Sequence, residues 1–179
     1  MDVMQPLKRL ETERLILNSL DLEDAAFVLE IFSNAQVLEF YDLDAFSEIE
    51  QAEALIHRMH HRYHSASGFR YAIRLKTGQM IGGCGVNRIL EEEGDHRAII
   101  GYDLHPDYWG NGYMLEAITA MLNLIRTELL FDQKIRYVDA QVMQQNLKSQ
   151  RLLQKLEFHQ IQPVVEMGQI FLQFRLSLF

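Results

Sequence analysis

Cysteine is nearly missing from this chain: Cys84 stands alone among 179 residues, so neither an intrachain disulfide nor a thiolate metal cluster can be assembled. A reducing, cytoplasmic setting is the expectation. Only three prolines are present, and no repeat, Pro-rich linker or low-complexity stretch marks a boundary, so a single domain over residues 1–179 is expected. Long hydrophobic runs are lacking too. None approaches the roughly 20 apolar residues that cross a bilayer, and the first ten residues carry no secretory apolar region, so no membrane partner is expected. Positive charge is in deficit, with 17 Lys and Arg against 25 Asp and Glu for a net −8. With no basic run either, a phosphate-tracking nucleic-acid surface is not expected. What is abundant is apolar residues, 48% of the chain, enough for a sizeable core.

The patterning alternates between strand and helix. Arg14 to Asn18 reads as a first strand, and Asp21 starts a helix with Phe27, Val28 and Ile31 on its apolar face. Ser47 and Glu50 form a Ser-x-x-Glu capping box for a second helix running to about Ser65. Phe69 to Leu75, Met80 to Val86 and Arg97 to Leu104 read as an antiparallel meander, closed by turns at Lys76–Gln79 and Glu91–Asp95. A helix from Gly112 to about Leu130, a strand from Ile135 to Val142 and a helix from Asn146 to Leu156 follow. Two last strands flank Glu166-Met167-Gly168. The expected class is mixed α/β, a twisted, mostly antiparallel sheet flanked by helices.

Chemistry concentrates in the stretch from His105 to Ala117, which contains Trp109-Gly110-Asn111-Gly112-Tyr113-Met114. Glycines allow close backbone approach, and the free N–H groups and positive dipole end of a helix's first turn favour an anion there. Such a turn is also ordinary turn chemistry. A second motif, Asn146-Leu147-Lys148-Ser149 running to Lys155-Leu156-Glu157-Phe158, stands one strand downstream.

Together the two motifs resemble those of the GNAT superfamily of N-acetyltransferases, in the branch of ribosomal-protein N-terminal acetyltransferases and their small-molecule relatives. The first resembles that family's acyl-CoA pyrophosphate loop, and the second its Asn-x-x-Ser helix ending in Lys-Leu-Gly-Phe. Leu10 to Leu17, Ile81-Gly82 and Ile100-Gly101-Tyr102 are similar to its opening and central strands, so the likeness spans about Leu10 to Phe174. It implies acetyl transfer from acetyl-CoA to a primary amine, either a protein N-terminus or a small molecule, with no metal. It also implies that Trp109, Gly110, Asn111, Gly112 and Tyr113 hold the pyrophosphate, and that Tyr102, Leu104 and His105 lie along the pantetheine arm. Asn146 would bond that arm or the acetyl end, and Ser149 would serve the leaving sulfur as acid or hydrogen-bond donor. Asn146 is equally a helix N-cap.

Three positions depart from the family pattern. Met114 replaces a small residue, Glu157 replaces the glycine of Lys-Leu-Gly-Phe, so the helix either ends without the preferred left-handed cap or takes a strained one, and Ile99 replaces a frequent glutamate base. Without that base, an α-amine of pKa about 7.7–8 costs roughly 1–1.4 kcal/mol to deprotonate at neutrality, against roughly 4.6 for lysine. Low-pKa acceptors are therefore favoured. Asp103 and Glu39 are further acid or base candidates, with solvated surface carboxylate as the simpler expectation for each.

Remaining features read as structural. His57, His60, His61 and His64 share helical spacing and are expected on a solvated face, Cys84 as a small buried strand residue, and Phe40 and Tyr41 as pocket-shaping or core aromatics. Phe171, Leu172, Phe174, Leu176, Leu178 and Phe179 suggest apolar surface for a homodimer, with a monomer as the alternative. Two rival functions remain: an acyl-CoA-binding sensor of the same fold, separable by turnover assays, and a nucleotide-binding domain, separable by stabilisation with ATP but not CoA.

Overall fold

Residues 6–41, 43–166 and 168–179 are described by the computed structural model. The chain runs through strands β1 (Leu10–Glu11) and β2 (Leu15–Ser19), a 3₁₀ turn at Leu22–Asp24, and helices α1 (Ala25–Ser33), α2 (Ala35–Leu38) and α3 (Ile49–His64). The meander β3 (Phe69–Leu75), β4 (Met80–Glu92) and β5 (Asp95–Leu104) follows. A 3₁₀ turn at Pro106–Tyr108 leads to α4 (Tyr113–Thr127), β6 (Ile135–Met143), α5 (Leu147–Lys155), β7 (His159–Gln160), β8 (Val164–Glu166) and β9 (Gln169–Ser177).

Among the described residues the strands form one sheet in the order β1-β2-β3-β4-β5-β6-β9-β7, with β8 also on β9. Every pairing is antiparallel except β5 with β6. The expected class is therefore present.

Strand alternation sends side chains to two separate cores. Leu15, Leu17, Tyr71, Ile73 and Ile81 pack with Ile118, Met121 and Ile125 of α4 on one face. Ala72 and Met80 pack with Val28, Ile31, Ile56 and Met59 of α1 and α3 on the other. Arg74 ties that second layer down, donating to both carboxylate oxygens of Asp24 at 2.8 and 2.7 Å.

Several local expectations change. Helix α3 is capped at Glu48 rather than Ser47, because Gln51 Oε1, not Glu50, reaches back to accept the N–H groups of Ser47 and Glu48 at 2.7 and 3.0 Å. Strand β4 continues to Glu92, six residues beyond Val86, since β5 pairs with it down to Glu92 and Asp95. Helix α4 stops at Thr127. Of the apolar C-terminal residues, Phe174, Leu176 and Leu178 are buried in the main core, so they do not form a dimer surface; Phe179 is exposed. Met167 of the expected final turn lies outside the described residues.

Candidate active site: a glycine turn beside a splayed strand pair

Strands β5 and β6 pair only from His96 with Ile135 to Ile99 with Asp139. Beyond that rung β5 continues on β4 as far as Leu104, while β6 continues on β9 as far as Met143. The two parallel strands therefore separate, leaving one side of Ile100–Leu104 without a strand neighbour among the described residues. The His105 N–H donates to the Ile81 carbonyl at 2.9 Å, which sets the ladder's phase. Asp103 and Gly101 point their amide groups at β4, whereas Tyr102 and Leu104 turn theirs to the open edge.

Both carbonyls on that edge are already covered. The Tyr41 hydroxyl donates to the Tyr102 carbonyl at 2.9 Å, and the Trp109 indole N–H donates to the Leu104 carbonyl at 2.8 Å. His105, grouped in sequence with Tyr102 and Leu104, does not share this edge. Its ring lies against Phe27, with Nε2 3.2 Å from Glu30.

The glycine turn closes the mouth of the splay. Gly110 and Gly112 take φ of +77° and +78°, and a Cβ placed on Gly110 would meet nothing within 4 Å. Positive φ favours glycine here, and the open space keeps the backbone accessible. Asn111 folds back, its Nδ2 donating to the carbonyls of Tyr108 and Trp109 at 3.3 and 3.0 Å. Arg14 Nη1 donates to the Asn111 carbonyl at 3.0 Å. With these carbonyls engaged, the turn and the first turn of α4 offer N–H donors, an arrangement suited to anionic oxygen. Met114 does not obstruct it, because its side chain is buried in the core.

Glu116 anchors the turn from within α4. It accepts from Thr12 Oγ1 at 2.6 Å, the Arg14 backbone N–H at 2.9 Å and Arg14 Nε at 2.7 Å. Burial pushes its carboxyl up, but these hydrogen bonds outweigh that and hold it below the usual range. The Arg14 guanidinium also lies over the Tyr113 ring, 4.6 Å from its centre.

On the far wall, α5 begins immediately after β6. Asn146 caps it, its Oδ1 accepting the Ser149 N–H at 3.1 Å. Two contacts bridge the splay. The Tyr102 hydroxyl stands 2.5 Å from Ser149 Oγ, and Lys148 Nζ lies 4.0 Å from the centre of the Trp109 ring. These contacts link Tyr102 to Ser149, Ser149 to its capping residue Asn146, and the glycine-turn residue Trp109 to both Leu104 and Lys148.

The opposite sheet face carries charge in locked pairs. Asp103, expected as a solvated carboxylate, is buried and ion-paired with Arg70. Arg70 reaches it across β4 because Gly83 has no side chain; a Cβ there would lie 3.0 Å from Arg70 Nε. Asp139, fully buried at the last rung of the splay, accepts from Arg175 Nε at 2.8 Å and Nη2 at 2.9 Å and from Gln173 Nε2 at 2.8 Å. Arg97 Nη1 lies 3.4 Å from it. Glu39 is exposed.

Cys84 is buried and its thiol is pushed up to about 12 by desolvation. His57, His61 and His64 are exposed, while His60 Nε2 meets the Leu20 carbonyl at 2.6 Å. Sequence reasoning missed Arg14, Lys148 and the Asp139 cluster, and it named Tyr41 only as a pocket-shaping or core aromatic, not as a donor to the β5 edge. Glu116 had a local signal, an acid in a first helical turn; the others meet partners remote in sequence.

A family model described as an acetyltransferase (GNAT) domain matches residues 14–159. The chain is 33% identical over 153 residues to p20 of Bacillus licheniformis, named as an uncharacterized N-acetyltransferase, covering 85% of this chain and 83% of that one. Its fold is similar to a ribosomal-protein alpha-N-acetyltransferase, RimL, solved with coenzyme A, at a TM-score of 0.80 and 17% identity, covering 95% and 98% of the two chains. It is also similar to a spermidine N-acetyltransferase from Vibrio cholerae solved with CoA and spermine, at a TM-score of 0.77 and 16% identity, covering 93% and 96%.

Proposed function

This chain belongs to the GNAT acetyltransferase family and is an acetyl-CoA-dependent N-acetyltransferase, and we propose that its acceptor is a primary amine of low pKa, a protein N-terminal α-amine in particular. The observation carrying this is Ile99. It occupies the last paired rung before the strands part, and the nearby carboxylates Asp139 and Asp103 are both tied to guanidiniums. Each is engaged by a guanidinium on the sheet face away from Ser149, so neither is placed to take the amine's proton. An α-amine needs only about 1–1.4 kcal/mol to deprotonate at neutrality, so solvent suffices; a lysine needs roughly 4.6. Of the matched structures, one is named for protein α-N-acetylation, the class proposed here, and one for a polyamine, whose alkyl amines are lysine-like.

The residues fit the donor. The backbone of Trp109, Gly110, Asn111, Gly112 and Tyr113 suits the pyrophosphate, and the open edge at Tyr102 and Leu104 suits the amide-bearing arm. Asn146 retains its NH₂ as a donor toward that arm while its Oδ1 caps α5. The amine lone pair forms the new C–N bond and the C–S bond breaks with its electron pair on sulfur. The amine's extra proton leaves to water. Ser149 donates its hydroxyl hydrogen bond to the departing sulfur, and the thiolate ends protonated as free CoA.

The test compares matched peptides, one with a free N-terminus and no lysine, the other N-blocked with one lysine. Faster acetylation of the first is expected; a clear lysine preference contradicts the proposal.

A further inference from the structure

Ser149 is reached by a second hydroxyl. Tyr102 projects from β5 across the splay and places its oxygen 2.5 Å from Ser149 Oγ. A phenol is a stronger acid than an alcohol, so the phenol donates and the serine oxygen accepts. That fixes the remaining freedom of Ser149. With one lone pair of Oγ occupied, rotation about Cβ–Oγ swings the serine hydrogen away from Tyr102, and the Asn146 bond to the Ser149 N–H fixes the backbone beneath it. Tyr102 is in turn held by its own carbonyl, which accepts the Tyr41 hydroxyl at 2.9 Å. Burial pushes the Tyr102 phenol up to about 12, so it stays a donor across the working pH range.

We propose that Tyr102 is a positioning residue, which through its hydroxyl aims and strengthens the hydrogen bond that Ser149 gives to the departing sulfur. This rests on the reading of Ser149 above. Tyr102 gives up no proton in the reaction. Its phenol keeps its O–H bond throughout and acts by accepting charge flow along a chain of hydroxyls, where each bond polarises the next. Tyr41, on the opposite face, keeps the β5 backbone at the height that makes the 2.5 Å contact.

The experiment is a double-mutant cycle with Tyr102→Phe, Ser149→Ala and the combined variant, using acetyl-CoA and the best peptide acceptor. Tyr102→Phe keeps the ring and its packing, and an unchanged melting temperature and CoA affinity verify an intact site. The expected result is a kcat reduced roughly 5- to 10-fold, the size of one neutral hydrogen bond. The KM for acetyl-CoA stays within about twofold, and the pH profile is unmoved up to about pH 10, well below the phenol's pKa. In the Ser149→Ala background the same change costs nothing further. An unchanged kcat in Tyr102→Phe overturns the inference, as does an equal loss in both backgrounds, which would place Tyr102 on the arm or in packing alone. If Ser149→Ala itself turns over normally, the reading of Ser149 fails as well, so the two failures are distinguishable.

Discussion

Arg14 Nε and Glu116 Oε2 lie 2.7 Å apart across 102 positions of sequence, tying the entry of the first long strand to the first turn of the helix that follows the glycine turn. The same guanidinium holds the Asn111 carbonyl, so it orients the turn from outside. Arg14→Met should cost only about 0.5–1 kcal/mol of stability, since the pair is partly exposed. It should weaken CoA binding several-fold, read by calorimetry, because the donors of the turn lose their alignment.

The Glu116 carboxyl is held low in the folded state, so its contribution is present above the unfolded pKa of about 4.3 and is lost as pH falls through the folded value. Glu116→Gln should therefore melt below the wild type at pH 7. The gap should close as pH drops under about 4. A gap independent of pH would show that shape, not charge, is what matters there.

Gly110 and Gly112 separate strain from access. An alanine at either needs a left-handed backbone costing about 1–2 kcal/mol. Gly112→Ala adds a 3.5 Å approach to Arg14 Nη2, whereas Gly110→Ala fills open space. Gly110→Ala should lose CoA affinity out of proportion to its stability, because its new methyl stands where the ligand approaches. Thermal shift with and without CoA reads both quantities.

Glu157 carries a stability cost that a single change should remove. It sits at φ +66°, two residues past Lys155, the last residue of α5. The Phe158 and Glu157 N–H groups each donate at 3.0 Å, to the carbonyls of Leu153 and Gln154, which completes a Schellman cap. Glu157→Gly keeps both bonds and relieves the strain. It should gain about 1 kcal/mol, or about 2–4 °C in Tm for a chain of this size, with activity unchanged.

Asp139 is the opposite case. Asp139→Ala leaves Arg175 and Arg97 without their shared carboxylate in a buried site and should cost about 3–5 kcal/mol in chemical denaturation. A loss under about 1 kcal/mol would mean the arginines find water readily.

What could be read from sequence was what is local. Helices and strands followed from periodicity, and Glu157 marked the end of α5 as unusual while leaving open whether it is strained or uncapped. The glycine turn and the Asn146 cap were legible because their function is carried by backbone conformation and short spacing. Asp103 was misjudged because its partner, Arg70, lies on another strand, and burial cannot be read from one residue. The Ser47 box failed for a smaller reason, since Gln51 competes for the same N–H groups one residue along. Lys148 and Arg14 act only through distant partners, so nothing near them in sequence marked them, and Tyr41 was legible as an aromatic but not as a partner of Tyr102.

The most direct test of the assigned chemistry is mass spectrometry after incubating the protein and acetyl-CoA with ribosomal proteins and a cell-amine fraction, with free CoA measured alongside. Acetylation at an α-amine or other low-pKa primary amine, with one CoA released per acetyl group and both rates falling together in Ser149→Ala, is the predicted result. Tight CoA binding with no acetylated product from any acceptor would contradict it and mark the site as a binding module.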